Sequence, residues 1–171
     1  SCRMGGKRVE AKKAPVFPVL PRFGLRLFLP ESFAELTYCG LGPVESYVDK
    51  HQASYHSVFH STPAEQQEDY IRPQENGSHY DCDYASLAND RVVLTAVGEK
   101  TFSFQASVYT QEELTEKAHN YELKPCGSTV FCIDYRQAGI GSASCGPMLL
   151  EKYQLKENEI KFAVRLKPEL L

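Results

Sequence analysis

Three close carboxylate pairs are the first candidates for chemistry in this sequence: Glu31/Glu35, Asp81/Asp83 and Glu112/Glu113. Two carboxyl groups held about 5 Å apart can act as nucleophile and general acid. Asp81 and Asp83 are two apart in a strand-like run, so both should project from one face, about 7 Å apart. Such a pair more often marks a solvated strand face, and we interpret it so. We therefore predict no catalytic residue in this chain.

Histidine and cysteine are the next candidates, as metal ligands or nucleophiles. The five histidines show no ligand spacing, and His56 and His60 would lie about 13 Å apart along a strand. The six cysteines form no C-x-x-C pair. Cys39, Cys82 and Cys132 lie in strand-like runs, where a free thiol behaves as a small hydrophobe. We predict no metal site, reduced thiols and a cytoplasmic location, with a periplasmic or secreted one as the alternative.

Three blocks rich in turn-forming residues punctuate the chain: Gly40–Tyr47, Tyr70–Gly77 and Gly139–Pro147. In the first block, Gly40, Gly42 and Pro43 predict a tight bend, which the polar groups of Glu45 and Tyr47 could lock.

The second block combines a fixed φ angle at Pro73 with the turn dipeptide Asn76-Gly77. Arg72 and Glu75 bracket the turn and could pair across it or cap it. We interpret both blocks as rigid connections between strands; a contact to a ligand or to a neighbouring domain is the alternative.

The elements that must position these blocks are strands. Apolar and polar residues alternate with period two, which predicts half-buried strands over the following runs: 23–29, 33–40, 56–61, 81–87, 91–97, 101–109, 128–135 and 160–167. Gly98-Glu99-Lys100 predicts a short hairpin connection. Thr110-Gln111-Glu112-Glu113 is a capping box that predicts a short helix ending near His119-Asn120. The pattern predicts an all-β, antiparallel sandwich with one short helix.

Composition narrows the class of protein. The chain has 171 residues, 42% of them hydrophobic and 24% charged, which is ordinary for one globular domain. A formal net charge of -3 predicts no binding to nucleic acid or to a membrane. Residues 1–20 carry a cluster of basic residues and prolines spaced by three, and we predict an extended or disordered lead-in there. A polyproline II ligand or a basic arm is the alternative.

The three blocks, in this order, resemble the C-terminal β-sandwich domain (domain 5 type, small chain) of glycoside hydrolase family 2 β-galactosidases. The resemblance runs from about Pro21 to Pro168. It implies a supersandwich like that of galactose mutarotase, with residues 21–171 forming the C-terminal portion of the family's domain. The family's two catalytic glutamates and its Mg²⁺ ligands lie in or near a catalytic barrel, and no position of this chain matches them.

The Gly139–Pro147 block is where the resemblance reaches the family's active site. The corresponding loop of well-known members presents a Trp that stacks against substrate. This sequence keeps Gly139, Gly141 and Pro147, is one residue shorter, and has Cys145 where the Trp would fall. The resemblance implies substrate contacts by Ser144 and Cys145, although a thiol cannot replace an aromatic face.

By resemblance, the function is that of a non-catalytic C-terminal domain. It would close one wall of the active site of a retaining enzyme that hydrolyses terminal β-D-galactosides. The implied partners are the remaining domains of that hydrolase, a galactoside substrate and further copies in a homo-oligomer. The alternatives are a free-standing carbohydrate-binding or structural β-sandwich module, and a mutarotase with His and Glu in one cleft.

Overall fold

A computed structural model describes residues 5–12 as backbone and residues 19–141 and 147–171 in full. In this part of the chain, eight antiparallel strands, one α-helix and two short 3₁₀ helices follow one another. The strands are β1 (Gly5–Lys12), β2 (Arg22–Pro30), β3 (Glu35–Gly42), β4 (Tyr55–Ser61), β5 (Ser78–Ala88), β6 (Val92–Ser107), β7 (Ser128–Gln137) and β8 (Glu159–Leu170). The predicted fold class, an all-β antiparallel sandwich with one short helix, is confirmed.

The strands form a sheet that forks at β6. One path runs in the order β1-β8-β6-β5-β3-β4, and the other leaves β6 through β7 to β2. The fork exists because the first part of β6 pairs with β8, from Val92 to Gly98, whereas its last residues, Ser103 to Ser107, pair with β7. On its other edge, β6 pairs with β5.

The predicted hairpin at residues 98–100 is wrong. Both halves of β6 pair with the same strand, β5, through Tyr84↔Val97 and Cys82↔Phe102. Residues 98–101 therefore stand opposite the single residue Asp83, as a bulge in one continuous strand. A glycine suits either a turn or a bulge, and only the shared partner strand decides between them.

The core lies on the faces that alternation predicts, with one difference. Phe102, Phe104 and Ala106 of β6 are buried, as expected from the period of two. The polar residues between them are buried as well, with Ser103, Gln105 and Ser107 no more than 6% exposed. The second face of β6 therefore packs against protein instead of solvent, and its side chains need internal hydrogen-bond partners.

The short helix α1 spans Gln111–Glu116, and its predicted cap is confirmed: the Thr110 side chain accepts from the Glu113 N–H at 3.1 Å. The Glu113 carboxylate does not complete the box, because it accepts from the Lys124 N–H at 3.0 Å. The helix ends earlier than predicted, at Glu116. No helix of the described residues is long and apolar enough to cross a membrane.

Strand β1 was not predicted as a strand. All eight of its residues pair with β8, from Gly5↔Leu166 to Lys12↔Glu159. Its residues belong to the basic stretch for which an extended or disordered lead-in is predicted from the sequence. This segment contains few apolar residues, so the alternation of apolar and polar residues could not predict a strand there.

Candidate functional site

The first two turn blocks meet at the buried carboxylate of Glu45. One of its oxygens, Oε2, accepts from the Gly77 N–H at 2.8 Å, and the other, Oε1, is bonded by Lys50 Nζ and Tyr70 Oη. Glu45 is 5% exposed. Gly77 has φ +68°, and an added Cβ would lie 2.3 Å from the Gln66 carbonyl oxygen, so the turn accepts only glycine there. One side chain thus fastens the Gly40–Tyr47 block to the Tyr70–Gly77 block.

The rest of the Gly40–Tyr47 block differs from the predicted bend. Gly40 and Gly42 belong to β3 and pair with Ser57 and Tyr55 of β4. An added Cβ on Gly42 would lie 2.2 Å from Tyr38 Oη, so these glycines allow close packing and not a reversal. Pro43 follows through a cis peptide bond, and Tyr47 is buried.

Of the two suggested roles of Arg72 and Glu75, pairing with each other is not what the structure shows. Arg72 is exposed, and Glu75 Oε2 pairs instead with Arg22 Nη1 of β2 at 3.2 Å. The remaining block residues act as structural supports. Pro73 is buried, and the Asn76 side chain accepts from the Glu68 N–H at 3.1 Å.

Arg22 is the centre of a second polar network. Its Nη2 lies 2.5 Å from Asp134 Oδ2 of β7, and its Nη1 donates to Gln105 Oε1 of β6 at 3.3 Å. Gln137 donates to Asp134 Oδ2 at 3.3 Å and to Ser78 Oγ at 2.9 Å. Asp134 is 2% exposed, so its charge is separated from bulk water.

One guanidinium faces two carboxylates in this network, and the charges do not balance. Burial raises the pKa of Asp134, and Arg22 opposes that rise. Burial also raises the pKa of Glu75 to about 7, against the pull of Arg22. Burial by itself lowers the pKa of Arg22, but the neighbouring Asp134 and Glu75 raise it above its ordinary value. A protonated Glu75 leaves Arg22 and Asp134 as a matched pair.

His79 lies beside these networks but is sealed from solvent. It is 1% exposed and packs between the rings of Tyr38 and Phe104, with centroids 4.3 Å and 5.2 Å away. Nδ1 lies 3.1 Å from the Leu41 carbonyl oxygen, and Nε2 contacts the side-chain amide of Gln66. Burial lowers the pKa of His79 to about 4, so the ring is neutral and structural at physiological pH.

The third block, the Gly139–Pro147 loop, is held by Asp49. The two oxygens of this carboxylate accept from the Ile140 N–H at 3.1 Å and from the Gly141 N–H at 2.9 Å. An added Cβ on Gly139 would lie 2.5 Å from Asp49 Cγ, and Gly141 has φ +59°, so both glycines are required by the contact. Ser144 and Cys145 lie outside the described residues, and their predicted substrate contacts stay predictions.

The two described ends of this loop line one surface cavity. Gly141 and Pro147 line this space of about 470 Å³ together with Lys50, Met148 and Tyr153. Lys50 also binds Glu45, so the cavity and the first network share a residue. The described parts of the three blocks are therefore neighbours in space.

Comparison with known proteins identifies the family of this chain. The sequence model of the family described as "Beta galactosidase small chain" matches residues 3–166. The chain belongs to the β-galactosidase small-chain family. Members of this family include full-length relatives that are much longer than this chain. It is 47% identical over 153 residues to the β-galactosidase of Actinobacillus pleuropneumoniae, covering 90% of this chain and 15% of that protein.

Two further relatives carry the same name. The β-galactosidase of Staphylococcus xylosus is 43% identical, covering 88% of this chain and 15% of that protein. The β-galactosidase of Kluyveromyces lactis is 30% identical, covering 85% of this chain and 14% of its own length. The chain thus spans about 15% of the length of these curated relatives.

Sequence reasoning missed the groups that hold the site together: Arg22, Asp49, Gln105 and Asp134. Asp134 carried a usable signal, because it follows the apolar run Val130–Ile133 inside a strand. An acid in such a run is buried, and a buried acid needs a partner. Asp49 stands in an irregular segment, and no local pattern distinguishes it.

Proposed function

We propose that this chain is a non-catalytic C-terminal domain of a retaining β-galactosidase. In this role its Gly139–Pro147 loop forms one wall of the active site for terminal β-D-galactosides. The observation that carries the proposal is the bidentate grip of Asp49 on the backbone of residues 140 and 141. A carboxylate that accepts from two successive backbone N–H groups fixes where the loop begins, as a wall that contacts a ligand requires. The family match and the names of the relatives support the substrate class.

The two polar networks give this wall a rigid base. Glu45 joins the first two blocks, and Lys50 extends from Glu45 to the cavity beside the loop. When the wall is already ordered, no binding free energy is lost in ordering it as the substrate binds. A preformed wall therefore favours accurate positioning of a substrate. The domain would thus contribute to substrate binding and not to bond cleavage.

The described carboxylates do not suit catalysis. The most buried ones are engaged: Glu45 with Lys50 and Tyr70, and Asp134 with Arg22 and Gln137. The family's Mg²⁺ requires oxygen ligands. Among the described residues, the cluster of three side chains at ligand distance contains a thiol and an imidazole, which does not fit that ion. Catalytic glutamates and Mg²⁺ would therefore come from the remaining domains, and homo-oligomer contacts are part of the same proposal.

The isolated chain should not hydrolyse galactosides, because its sequence offers no credible catalytic pair of carboxylates and the most buried carboxylates of the described residues, Glu45 and Asp134, are engaged in ion pairs. A chromogenic β-galactoside assay should give only the buffer rate. Activity should appear when the chain is mixed with a related β-galactosidase from which the matching segment has been deleted. Turnover by the purified chain alone would contradict the proposal, and failure of the mixture would favour a free-standing module.

Replacing Asp49 with alanine should raise KM in the complemented enzyme and leave kcat within a few-fold. The change removes two hydrogen bonds to a charged acceptor, and a loss of about 1.4 kcal/mol of binding corresponds to roughly 10-fold in KM. Asp49→Asn keeps one carbonyl acceptor and should give an intermediate KM. The control is Asp90→Ala, because the Asp90 side chain is 80% exposed. An unchanged KM in Asp49→Ala would show that the anchored loop does not reach substrate.

A further inference from the structure

Three side chains of different chemistry converge on the outer face of β3, β4 and β5, away from the site described above. Cys39 Sγ lies 3.6 Å from Asp83 Oδ2, and His56 Nε2 lies 3.4 Å from the same oxygen. The ligand atoms of all three lie within 4.8 Å of one another. Among the residues that the structure describes, no other group of three or more His, Cys, Asp or Glu side chains has its ligand atoms this close together.

The sheet brings these residues together from three neighbouring strands. In the register of β3 with β4, Cys39 faces Val58 and Leu41 faces His56, so His56 lies diagonally across from Cys39, two residues along β4 from Val58 and on the same face. On the other side Cys39 pairs with Tyr84, next to Asp83. Register shifts on both sides of Cys82 displace Asp83 from the regular ladder, and its carboxylate reaches the thiol and the imidazole.

We propose that Cys39, His56 and Asp83 form a binding site for a divalent transition-metal ion of the Zn²⁺ class. Thiolate, imidazole and carboxylate are the donors that tetrahedral Zn²⁺ takes in proteins. Around such an ion, neighbouring ligand atoms lie about 3–4 Å apart. Two of the separations in this cluster already fall in that range.

Small side-chain rotations complete the geometry. The side chains of His56 and Asp83 are 42% and 55% exposed, so both can turn without displacing packed neighbours. The cluster faces solvent, which leaves the fourth tetrahedral position open to water. The hard cations Mg²⁺ and Ca²⁺ prefer oxygen ligands, so a thiol and an imidazole select against them.

A bound ion would join three strands through side chains. β4 is the last strand of its path and pairs only with β3 in the described sheet. An ion held by His56 of β4, Cys39 of β3 and Asp83 of β5 would tie this edge strand to the interior of the sheet. This consequence does not depend on the proposed galactosidase role.

Titration of this chain with Co²⁺, a spectroscopic substitute for Zn²⁺, tests the site. We expect one equivalent to give intense visible bands of tetrahedral Co²⁺ and a thiolate-to-cobalt charge-transfer band in the near ultraviolet, both removed by Zn²⁺. Cys39→Ser should abolish the charge-transfer band. Cys39→Ser and His56→Asn should each weaken Co²⁺ binding by at least about 100-fold. Losing only a hydrogen-bond partner of a metal ligand already weakens metal binding by about 10–100-fold, and these changes remove a ligand itself.

The matched control is Cys126→Ser, which removes an exposed free thiol elsewhere and should leave the spectrum unchanged. The proposal is overturned if the unmodified chain shows no thiolate band, or if Cys39→Ser binds Co²⁺ as tightly as the unmodified chain. Far-ultraviolet circular dichroism checks that each variant is folded. If Cys39→Ser does not fold, His56→Asn decides, because its exposed side chain can be changed without opening the core.

Discussion

Replacing Arg22 with alanine should lower the free energy of unfolding by about 3–5 kcal/mol, because it leaves a buried carboxylate without its counter-charge. The Asp134 side chain is 3% exposed and receives its charged hydrogen bonds from Arg22. Urea unfolding followed by circular dichroism measures the change, since the chain has no Trp to serve as a fluorescent probe.

The matched control for this prediction is Arg91→Ala. The Arg91 side chain is 84% exposed and lies 3.7 Å from an equally exposed Asp90, so we expect a change within about 0.5 kcal/mol. The double variant Arg22→Ala/Asp134→Asn should lose less stability than the two single changes added together, because no buried charge is left unpaired. Additive losses would mean that the pair contributes packing alone.

Lowering the pH from 7 to 4 should remove up to about 3 kcal/mol of stability through His79. Its folded pKa of about 4 lies below the ordinary 6.5 because burial disfavours the charged ring. Between these values the unfolded chain takes up a proton that the folded chain does not. The stability that the neutral ring supplies is therefore complete above pH 6.5 and is lost as the pH falls towards 4.

Glu75 acts in the opposite direction over nearly the same range. Its folded pKa of about 7 lies above the ordinary 4.5, so its contribution to stability is complete below 4.5 and is lost as the pH rises to 7. Its side chain keeps 32% exposure, so solvent screening reduces the effect. The dependence of unfolding free energy on pH in the unmodified protein thus combines two opposed contributions, a loss at low pH through His79 and a loss at neutral pH through Glu75.

Non-titrating variants separate the two titrations. The stability of the unmodified chain minus that of His79→Gln should fall as the pH decreases from 7 to 4, and the corresponding difference for Glu75→Gln should rise. His119→Gln, whose side chain is 50% exposed, controls for the loss of a surface imidazole. Parallel profiles for His79→Gln and the unmodified chain would show that the ring is not held neutral by burial.

Local sequence pattern predicted the strands well because their signal is local. The alternation of Phe102, Phe104 and Ala106 predicts a buried face within a few residues. Thr110 predicts the start of a helix, because its side chain caps the helix by a local hydrogen bond. The hairpin prediction at Gly98 failed because turn and bulge share the same residue preferences. Arg72 and Glu75, which could have paired across the turn, do not, because Glu75 pairs with Arg22, which is distant in sequence but close in space.

The candidate site could be predicted only in part. The sequence identified all three blocks, but the residues that fasten them come from distant positions. Arg22 and Asp134 are 112 residues apart, and Asp49 lies 91 residues before Ile140. Cys39, His56 and Asp83 likewise come from three strands, so no ligand spacing joins them. Such contacts depend on sheet register, which a single sequence does not state.

Strand β2 pairs with β7, which lies far along the sequence, and this pairing has a consequence for synthesis of the chain. Arg22 pairs with Gln137, so β2 has no partner strand until β7 has left the ribosome. At about 5–20 residues per second, the intervening stretch takes roughly 6–20 s to translate. During that time the apolar face of β2 is without its cover, which makes the nascent chain a substrate for general chaperones and a risk for aggregation. Slower translation after residue 30 should therefore lower the soluble yield of this chain.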